Sequence, residues 1–273
     1  MSIGLVAQWE NDRAASLASS IKSALRADDV DVAVDRSTAA ALDIPGEPVE
    51  HMDSCDLVVS IGGDGTFLFA ARSIGSTPLV GVNLGEVGFL TTIAPEDAAD
   101  LIPQIYAEVV DGTHDLQRLP RVAASFADRE LGPALNEIIV HAPQRGPSGR
   151  MRATISIDGD EYVTDAVDGV MVATPTGSTA YNLSEDGPLL MPAVSGMIVN
   201  SMCGDNPMPP LVVPLDATIR VTMRDASFAY VIADGRSRHR LDVPGHVEIG
   251  TTTTPIHVAG PQVGFFQGLE KLE

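Results

Sequence analysis

The chain has 273 residues, enough for two modest domains, and 44% of them are hydrophobic, which excludes a disordered polypeptide. Its formal net charge of −20 excludes a basic surface that would bind nucleic acid or anionic lipid. Lys22 and Lys271 are the only lysines, and few Lys beside abundant Asp are typical of proteins that work in high salt, where counterions screen self-repulsion; an ordinary acidic protein is the alternative.

The first part of the chain alternates strand and helix signals. Short apolar runs predict buried strands at residues 3–7, 30–34, 57–61 and 78–82. Asn11 or Asp12 is predicted to cap an amphipathic helix that carries Leu17, Ile21 and Leu25 on one face. Later helices are predicted at residues 67–73 and 95–110, the last with Pro95 in its first turn. This order predicts an α/β nucleotide-binding domain over residues 1–114 with a Rossmann-like parallel sheet.

The pattern changes near Asp115. Short alternating segments, separated by Gly, Pro, Asp and Asn, predict strands at residues 121–126, 134–140, 153–157, 170–173, 218–223, 228–233 and 247–249. We therefore predict an all-β, sandwich-like domain over residues 115–252, which makes the chain α+β overall.

The sequence also indicates where the protein works. Cys55 and Cys203 are the only cysteines, and neither lies in a C-x-x-C pair or near metal-spaced histidines. The first residues lack the basic region of a signal peptide, and no apolar stretch is long enough to cross a membrane. These features predict a soluble cytoplasmic protein without a protein-built metal site.

The strongest local motif is Gly62-Gly63-Asp64-Gly65-Thr66, between a predicted strand and a predicted helix. Glycines let the backbone approach a phosphate, and N–H groups at the start of a helix attract an anion. A carboxylate in such a loop fits a general base or a metal ligand. The structural alternative is a tight turn in which Asp64 caps the following helix.

Two further motifs carry polar groups into apolar surroundings. The segment from Thr174 to Tyr181 reads Thr-Pro-Thr-Gly-Ser-Thr-Ala-Tyr, with hydroxyls suited to ribose or phosphate and a Tyr ring suited to adenine. Asn136-Glu137 pairs an amide with a carboxylate, which suits vicinal ribose hydroxyls. Taken alone, the first is also consistent with an ordinary Ser/Thr-rich turn and the second with a buried hydrogen-bonded pair.

Together and in this order, these motifs closely resemble the NAD kinase family. Further agreement comes from Asn83-Leu84-Gly85, Gly88-Phe89-Leu90 and Leu211–Pro214, so the resemblance covers nearly the whole chain. The Gly-Gly-Asp-Gly loop alone also occurs in lipid kinases and phosphofructokinases, whereas the Thr174 to Tyr181 segment is more specific. Together with the acidic, lysine-poor composition, this resemblance implies an NAD kinase from a halophilic archaeon.

The resemblance implies a role for particular residues. Asp64 is implied to be the catalytic base for the 2′-hydroxyl of the adenosine ribose of NAD, with Gly65 against the dinucleotide. Asn136 and Glu137 are implied to bind ribose hydroxyls. The other implied dinucleotide contacts are Arg150, Asp168, Thr179, Ala180, Tyr181, Asn182, Leu183, Ser184 and Arg236.

The resemblance also implies the reaction and the partners. A phosphoryl group would pass from ATP or polyphosphate to NAD to give NADP, with Mg²⁺ arriving on ATP. Members assemble as dimers or tetramers, and residues 253–273 would return to the first domain. The alternatives are a lipid-type kinase that shares the loop and a weakly catalytic dinucleotide sensor.

Some positions depart from the family pattern. Asp186 stands where relatives usually have the first Gly of Gly-Gly-Pro, and Ala166 stands where they commonly have Arg. The stretch before Leu211 lacks a common Pro-His pair. These departures leave the choice of donor and the preference for NAD or NADH open.

Overall fold

The computed structural model describes residues 1–27, 29–85, 88–146, 149–206, 208–262 and 264–269. Over these residues the helices are α1 (Asp12–Ala27), α2 (Arg36–Ala41), α3 (Asp64–Ser73), α4 (Ala98–Val110), α5 (Tyr181–Ser184) and α6 (Phe265–Leu269). The strands are β1 (Ser2–Ala7), β2 (Asp31–Val34), β3 (Leu57–Gly62), β4 (Leu79–Asn83), β5 (Gln117–Leu119), β6 (Val122–Phe126), β7 (Arg129–Ala134), β8 (Glu137–His141), β9 (Met151–Ile157), β10 (Asp160–Val167), β11 (Gly169–Ala173), β12 (Gly196–Met202), β13 (Leu211–Pro214), β14 (Ile219–Arg224), β15 (Phe228–Ala233), β16 (Ser237–Asp242), β17 (Gly245–Thr251) and β18 (Ile256–Val258). None of the helices in these ranges is long and apolar enough to span a membrane.

The chain divides into two compact units, Met1–Leu119 with Pro255–Glu273 and Pro120–Thr254. The first boundary lies after β5 because that strand pairs with β18, Leu119 opposite Ile256. The sequence had placed the two boundaries after residues 114 and 252. Residues 115–119 carry no apolar alternation of their own, so only the pairing assigns them to the first unit.

The first unit contains a sheet in the order β2-β1-β3-β4-β18-β5. All neighbouring strands are parallel except β5, which runs antiparallel to β18. Every residue of β3 and β4 is buried, as expected for parallel strands that are covered on both faces. The predicted α/β domain with a parallel sheet is confirmed.

Helix α1 follows the predicted pattern, whereas α4 differs at its start. The side-chain oxygen of Asn11 accepts the N–H groups of Arg13 at 3.1 Å and Ala14 at 3.2 Å, so Asn11 caps α1. Helix α4 begins at Ala98, and the prediction that Pro95 lies in its first turn is wrong. Pro95 instead lies in a turn closed by the N–H of Asp97 on the carbonyl of Ala94, 3.2 Å apart.

The second unit is built from two antiparallel sheets. Over the described residues their strand orders are β10-β9-β14-β17-β6-β7 and β13-β12-β11-β8-β15-β16. One apolar cluster joins Ile155 and Val221 of the first sheet to Val140, Val172 and Val231 of the second. Alternate residues of β14 are buried, as the period of two requires for a sheet with one covered face. The predicted all-β, sandwich-like domain is confirmed.

Candidate active site

The Gly-Gly-Asp-Gly loop joins β3 to α3 at the carboxyl end of the parallel sheet. A Cβ on Gly62 would lie 2.4 Å from the hydroxyl oxygen of Thr66, so only glycine fits there. A Cβ on Gly63 would meet no atom within 4 Å, so the backbone is open on that side. Gly65 is exposed in the first turn of α3. An open backbone at the start of a ten-residue helix suits an anionic ligand.

Asp64 is the first residue of α3, and its carboxylate is directed to the segment that follows β4. One carboxylate oxygen accepts the N–H groups of Leu90 and Thr91, both at 3.2 Å, and the hydroxyl of Thr91 at 3.0 Å. The other oxygen accepts the N–H of Phe89 at 3.1 Å. A Cβ on Gly88 would lie 2.1 Å from the Asp64 carboxylate, so this approach requires glycine at position 88.

These bonds exclude the structural alternative for Asp64. The cap residue of α3 is Gly63, and no side chain bonds to the first N–H groups of the helix. The Asp64 carboxylate therefore does not cap its own helix. It joins two motifs that the sequence shows separately, the Gly-Gly-Asp-Gly loop and the Gly88-Phe89-Leu90 segment.

Asn136 and Glu137 lie at a corner of the second unit, where the chain passes from β7 into β8. The strand predicted over residues 134–140 is wrong at this point, since β7 ends at Ala134 and β8 begins at Glu137. The carboxylate of Asp234 causes the break, because it accepts the N–H groups of Leu135, Asn136 and Glu137 at 3.0, 2.8 and 3.3 Å.

Glu137 is a buried acid at this corner. Its side chain is buried, and Oε2 has no hydrogen-bond partner among the described residues. Burial, followed by the neighbouring charge of Asp234, raises the pKa of Glu137 to about 8. The side chain can therefore be protonated near neutral pH, and it leaves an acceptor or donor for a ligand hydroxyl.

Arg236 and the Thr174 to Tyr181 segment border the same corner. Asp234 and Gly235 have positive φ values of 45° and 66° in the turn from β15 to β16, and the exposed Arg236 follows them. On the other side, the carbonyl of Asn136 accepts the N–H of Thr174 at 2.9 Å. A Cβ on Gly177 would lie 2.1 Å from that carbonyl oxygen. The structure thus brings together three sequence-predicted pieces.

Several hydroxyls of the Thr174 to Tyr181 segment are used inside the protein. The Thr174 hydroxyl donates to the carbonyl of Leu135 at 2.5 Å, and the Thr179 hydroxyl donates to that of Thr176 at 3.2 Å. Ser178 is fully buried, and its hydroxyl bonds the backbone of both Pro175 and Leu190. These three side chains therefore help to build the loop, whereas the half-buried ring of Tyr181 lies where a ligand can reach it.

The residues of α5 divide into buried and accessible ones. Asn182 is fully buried, and its amide donates to the carbonyl of Pro188 at 3.0 Å. Ala180, Tyr181 and Leu183 are half-buried, and Ser184 is exposed. Asp186 adopts a positive φ of 56°, a conformation that glycine adopts most easily, so the departure from the family glycine costs some backbone strain.

Asp168 and Arg150 pair with each other. The Asp168 carboxylate accepts the N–H of Gly146 at 3.1 Å and the Nε of Arg150 at 3.3 Å. Arg150 also pairs with Asp205. The two residues that the resemblance assigned separately thus form one ion-paired group.

Arg145 contacts a predicted dinucleotide residue, Tyr181, although its sequence context gives no signal for it. Its guanidinium donates to the Tyr181 hydroxyl at 2.7 Å and to His141 at 3.4 Å. Burial and the neighbouring Glu185 raise the pKa of Tyr181. Arg145 therefore fixes the ring that the sequence predicts to stack on adenine.

Comparison with known proteins agrees with these motifs. Residues 3–110 match the ATP-NAD kinase N-terminal domain, and residues 135–259 match the ATP-NAD kinase C-terminal domain. The chain is 46% identical to an NAD kinase of Haloarcula marismortui and 44% identical to one of Natronomonas pharaonis, in each case over the full length of both chains. The chain belongs to the NAD kinase family. The halophilic archaeal relatives also agree with the acidic composition.

Solved NAD kinase structures share the fold. A crystal structure of an NAD kinase from Archaeoglobus fulgidus in complex with ATP superposes with a TM-score of 0.77 at 26% identity, covering 100% of this chain and 97% of that chain. Yeast NADH kinase complexed with NADH gives a TM-score of 0.86 at 23% identity, covering 100% and 87%. The NAD kinase fold is therefore present in both units of the chain.

Proposed function

We propose that the chain transfers a phosphoryl group from ATP, or from polyphosphate, to the 2′-hydroxyl of the adenosine ribose of NAD and so makes NADP. One observation carries the proposal. In a chain whose full-length relatives are NAD kinases, the Asp64 carboxylate lies beside the open backbone of Gly63 at the start of α3. A nucleotide phosphate on that backbone would lie next to a carboxylate that can accept a proton.

Asp64 is the proposed catalytic base. As the 2′-hydroxyl oxygen attacks the terminal phosphorus of the donor, the hydroxyl proton passes to the Asp64 carboxylate. The bond between that phosphorus and the bridging oxygen breaks, and ADP or the shortened polyphosphate leaves. The hydrogen bonds from Phe89, Leu90 and Thr91 hold the carboxylate in one orientation. A fixed acceptor lowers the cost of ordering the reacting groups.

Asn136 and Glu137 are the proposed ribose contacts. Vicinal hydroxyls donate and accept hydrogen bonds, and the pair offers an amide together with the unpartnered Oε2 of Glu137. Since the pKa of Glu137 is raised to about 8, a protonated Glu137 can also donate to a ribose oxygen.

The remaining residues proposed for NAD binding either shape the loop or contact NAD directly. Asn182 and the hydroxyl of Thr179 act by shaping the loop, because their own bonds lie inside the protein. Tyr181 offers its ring to adenine. The other proposed contacts are Gly65, Arg150, Asp168, Ala180, Leu183, Ser184 and Arg236.

Mg²⁺ is proposed to enter with the donor. Among the described residues no group of three or more His, Cys, Asp or Glu side chains is placed to hold a metal ion. Mg²⁺ on the donor phosphates would neutralise charge there. We further propose that the active form is a homodimer or homotetramer in the cytoplasm.

The test compares wild type with Asp64→Asn for NADP formation from NAD, ATP and Mg²⁺ in high salt. We expect turnover to fall by about two to four orders of magnitude, the scale for loss of a general base, while NAD still binds. Asp100→Asn, at an exposed carboxylate of α4, is the control and should keep wild-type turnover.

Two results would contradict the proposal. Full activity of Asp64→Asn would remove Asp64 from the chemistry. A wild-type protein that binds NAD but makes no NADP or NADPH, with ATP or polyphosphate and with NAD or NADH, would be a dinucleotide sensor.

A further inference from the structure

Trp9 is an unusual surface residue in this chain. It is the only tryptophan, aromatic residues make up 4% of the sequence, and the Trp9 side chain is 72% exposed. Tyr and Trp usually bury most of their apolar ring area, so a largely exposed Trp is a candidate ligand contact.

Trp9 lies at the carboxyl end of β1, on the same edge of the sheet as the Gly-Gly-Asp-Gly loop. Strands β1 and β3 are parallel neighbours with Ala7 opposite Ile61, so Trp9 and Gly63 each stand two residues beyond a paired position. The N–H of Gln8 still bonds the carbonyl of Ile61 at 2.8 Å, which keeps the two segments together as they leave the sheet.

This edge is a topological switch point. From β1 the chain crosses to β2 on one side, and from β3 it crosses to β4 on the other side. In open α/β sheets, ligands bind in the crevice that opens where neighbouring strands connect in opposite directions. Trp9 and Gly63 flank that crevice, one from each strand.

The turn that carries Trp9 is held by specific contacts. The side-chain oxygen of Gln8 accepts the amide of Asn11 at 2.9 Å, and Asn11 in turn caps α1. Glu10 has a positive φ of 52°, which closes the turn. Arg13 of α1 donates to the carbonyl of Leu84 at 3.0 Å, beyond β4. These contacts therefore hold the backbone of the turn that carries Trp9 in place before any ligand binds.

We propose that Trp9 is the stacking surface for the adenine base of the donor nucleotide, whose phosphates lie along the turn at Gly63. This inference rests on the proposed kinase activity and adds that the donor site selects a nucleoside triphosphate over polyphosphate, which has no base. In a chain with a charge of −20 and two lysines, stacking supplies affinity that high salt does not screen.

The first test uses Trp9 as its own reporter. Because the chain has one tryptophan, a change in its emission reports on position 9. Titration of the wild-type protein in high salt with ATP should quench the emission saturably, whereas inorganic tripolyphosphate should not. N-acetyltryptophanamide, titrated in parallel, corrects for collisional quenching by ATP. This readout does not require turnover, so it remains informative if the kinase proposal fails.

The second test is kinetic. Trp9→Ala should raise KM for ATP about tenfold or more with little change in kcat. Alanine cannot stack on the base, and base stacking on an aromatic ring contributes about 1–3 kcal/mol to binding. Trp9→Phe should retain most of the affinity. Inhibition by tripolyphosphate should be equal in wild type and Trp9→Ala. Phe266→Ala, at another exposed ring of the first unit, is the matched control and should leave KM for ATP unchanged.

Three outcomes would overturn the inference while leaving NADP formation intact. They are an unchanged KM for ATP in Trp9→Ala, equal quenching by tripolyphosphate and ATP, and quenching by NAD without quenching by ATP. If the wild type makes no NADP but its emission is still quenched saturably by ATP, the kinase proposal is wrong. Trp9 would then remain a nucleotide contact.

Discussion

At the scale of single residues, Asp64 is a carboxylate whose direction is fixed by another segment of the chain. Both of its oxygens accept hydrogen bonds from Phe89, Leu90 and Thr91, which lie more than twenty residues away in the sequence. Such bonds orient the group and also reduce the lone pairs left for a substrate proton. The strength of this anchoring should therefore affect the chemical step more than the binding of NAD.

Thr91 tests this anchoring because, within the described part of the chain, it supplies the one hydroxyl that bonds to Asp64. It is fully buried, and its hydroxyl lies 3.0 Å from the carboxylate oxygen. Thr91→Val removes the hydroxyl and keeps the backbone donor. We expect kcat to fall by about one to two orders of magnitude and KM for NAD to stay unchanged, since a hydrogen bond to a charged group contributes about 1.5–3 kcal/mol. Steady-state kinetics in high salt measures both constants.

Thr91→Ser is the matched control, since it restores the hydroxyl without the methyl group. Its kcat should lie close to that of the wild type. If Thr91→Ser and Thr91→Val lose the same activity, the effect comes from packing around the buried side chain and not from the bond to Asp64.

Glu137 gives the protein a pH dependence of stability. Its pKa is raised from an ordinary value of 4.5 to about 8 in the folded state. As the pH rises between these values, the unfolded chain loses the proton while the folded chain keeps it, so unfolding becomes more favourable by up to about 1.4 kcal/mol per pH unit. Glu137→Gln lacks this contribution. Its free energy of unfolding relative to the wild type should rise from pH 5 to pH 8, as measured by urea denaturation in high salt.

The exposed Glu130 of the same unit provides the comparison for this measurement. Glu130→Gln should follow the wild-type pH dependence. A constant difference between Glu137→Gln and the wild type over this pH range would mean that Glu137 ionises at its ordinary pKa in the folded state.

At the scale of elements, the turn between β15 and β16 holds the corner between β7 and β8. Asp234 does this by accepting three backbone N–H groups from residues 135–137. Because these donors lie almost one hundred residues away in the sequence, the bonds fix how the hairpin and the Asn136-Glu137 pair are placed. The proposed ribose contacts should therefore depend on a residue that does not touch the ribose.

Asp234→Asn tests this dependence. An amide offers one acceptor oxygen where the carboxylate offers two, so at least one buried N–H loses its partner. We expect the free energy of unfolding to fall by about 1–3 kcal/mol and the Kd for NAD to rise. Urea denaturation and an NAD titration measure these changes. Asp242→Asn, at an 89% exposed carboxylate of the same hairpin, should change neither. Wild-type NAD affinity in Asp234→Asn would show that the corner keeps its shape without these bonds.

The elements that the sequence predicted correctly are those with a local apolar signal. Strand β3 is a continuous buried run, and β15 alternates along its length, so both ranges follow from the residues themselves. Strand β16 gives no such signal, because it lies at the sheet edge and exposes Arg238 and Arg240. The break at Leu135 and Asn136 depends on Asp234 and has no local cause.

The candidate site shows the same limit. Asp64, Asn136 and Glu137 are recognisable from the motifs that contain them, because the family resemblance identifies each position. Their partners are not recognisable, since the contact of Asp64 with Thr91 and that of Arg145 with Tyr181 arise from how distant segments meet. Trp9 belongs to this second group, because its placement beside Gly63 follows from strand order.

At the scale of the whole molecule, the net charge of −20 sums all of the charged side chains, and exposed carboxylates such as Glu50, Asp53 and Asp216 contribute to it. Like charges on a folded chain repel one another and favour expansion, and salt weakens this repulsion once the Debye length falls to about 3 Å near 1 M. The core clusters of both units are largely aliphatic and contain no charged side chain. The dependence on salt should therefore come from the carboxylates on the surface.

A variant with fewer surface carboxylates separates this effect from a general stabilisation by salt. Amides at Glu50, Asp53, Asp100, Glu130 and Asp216, all exposed, change the net charge from −20 to −15. The Tm and the activity of the wild type should rise with KCl, and the variant should have a higher Tm than the wild type in dilute buffer but nearly the same Tm at high salt. Sucrose, which stabilises proteins without screening charge, should raise both Tm values equally. If wild type and variant instead respond identically to KCl, charge repulsion does not limit stability. The acidic surface would then act on the solubility of the protein in high salt and not on its stability.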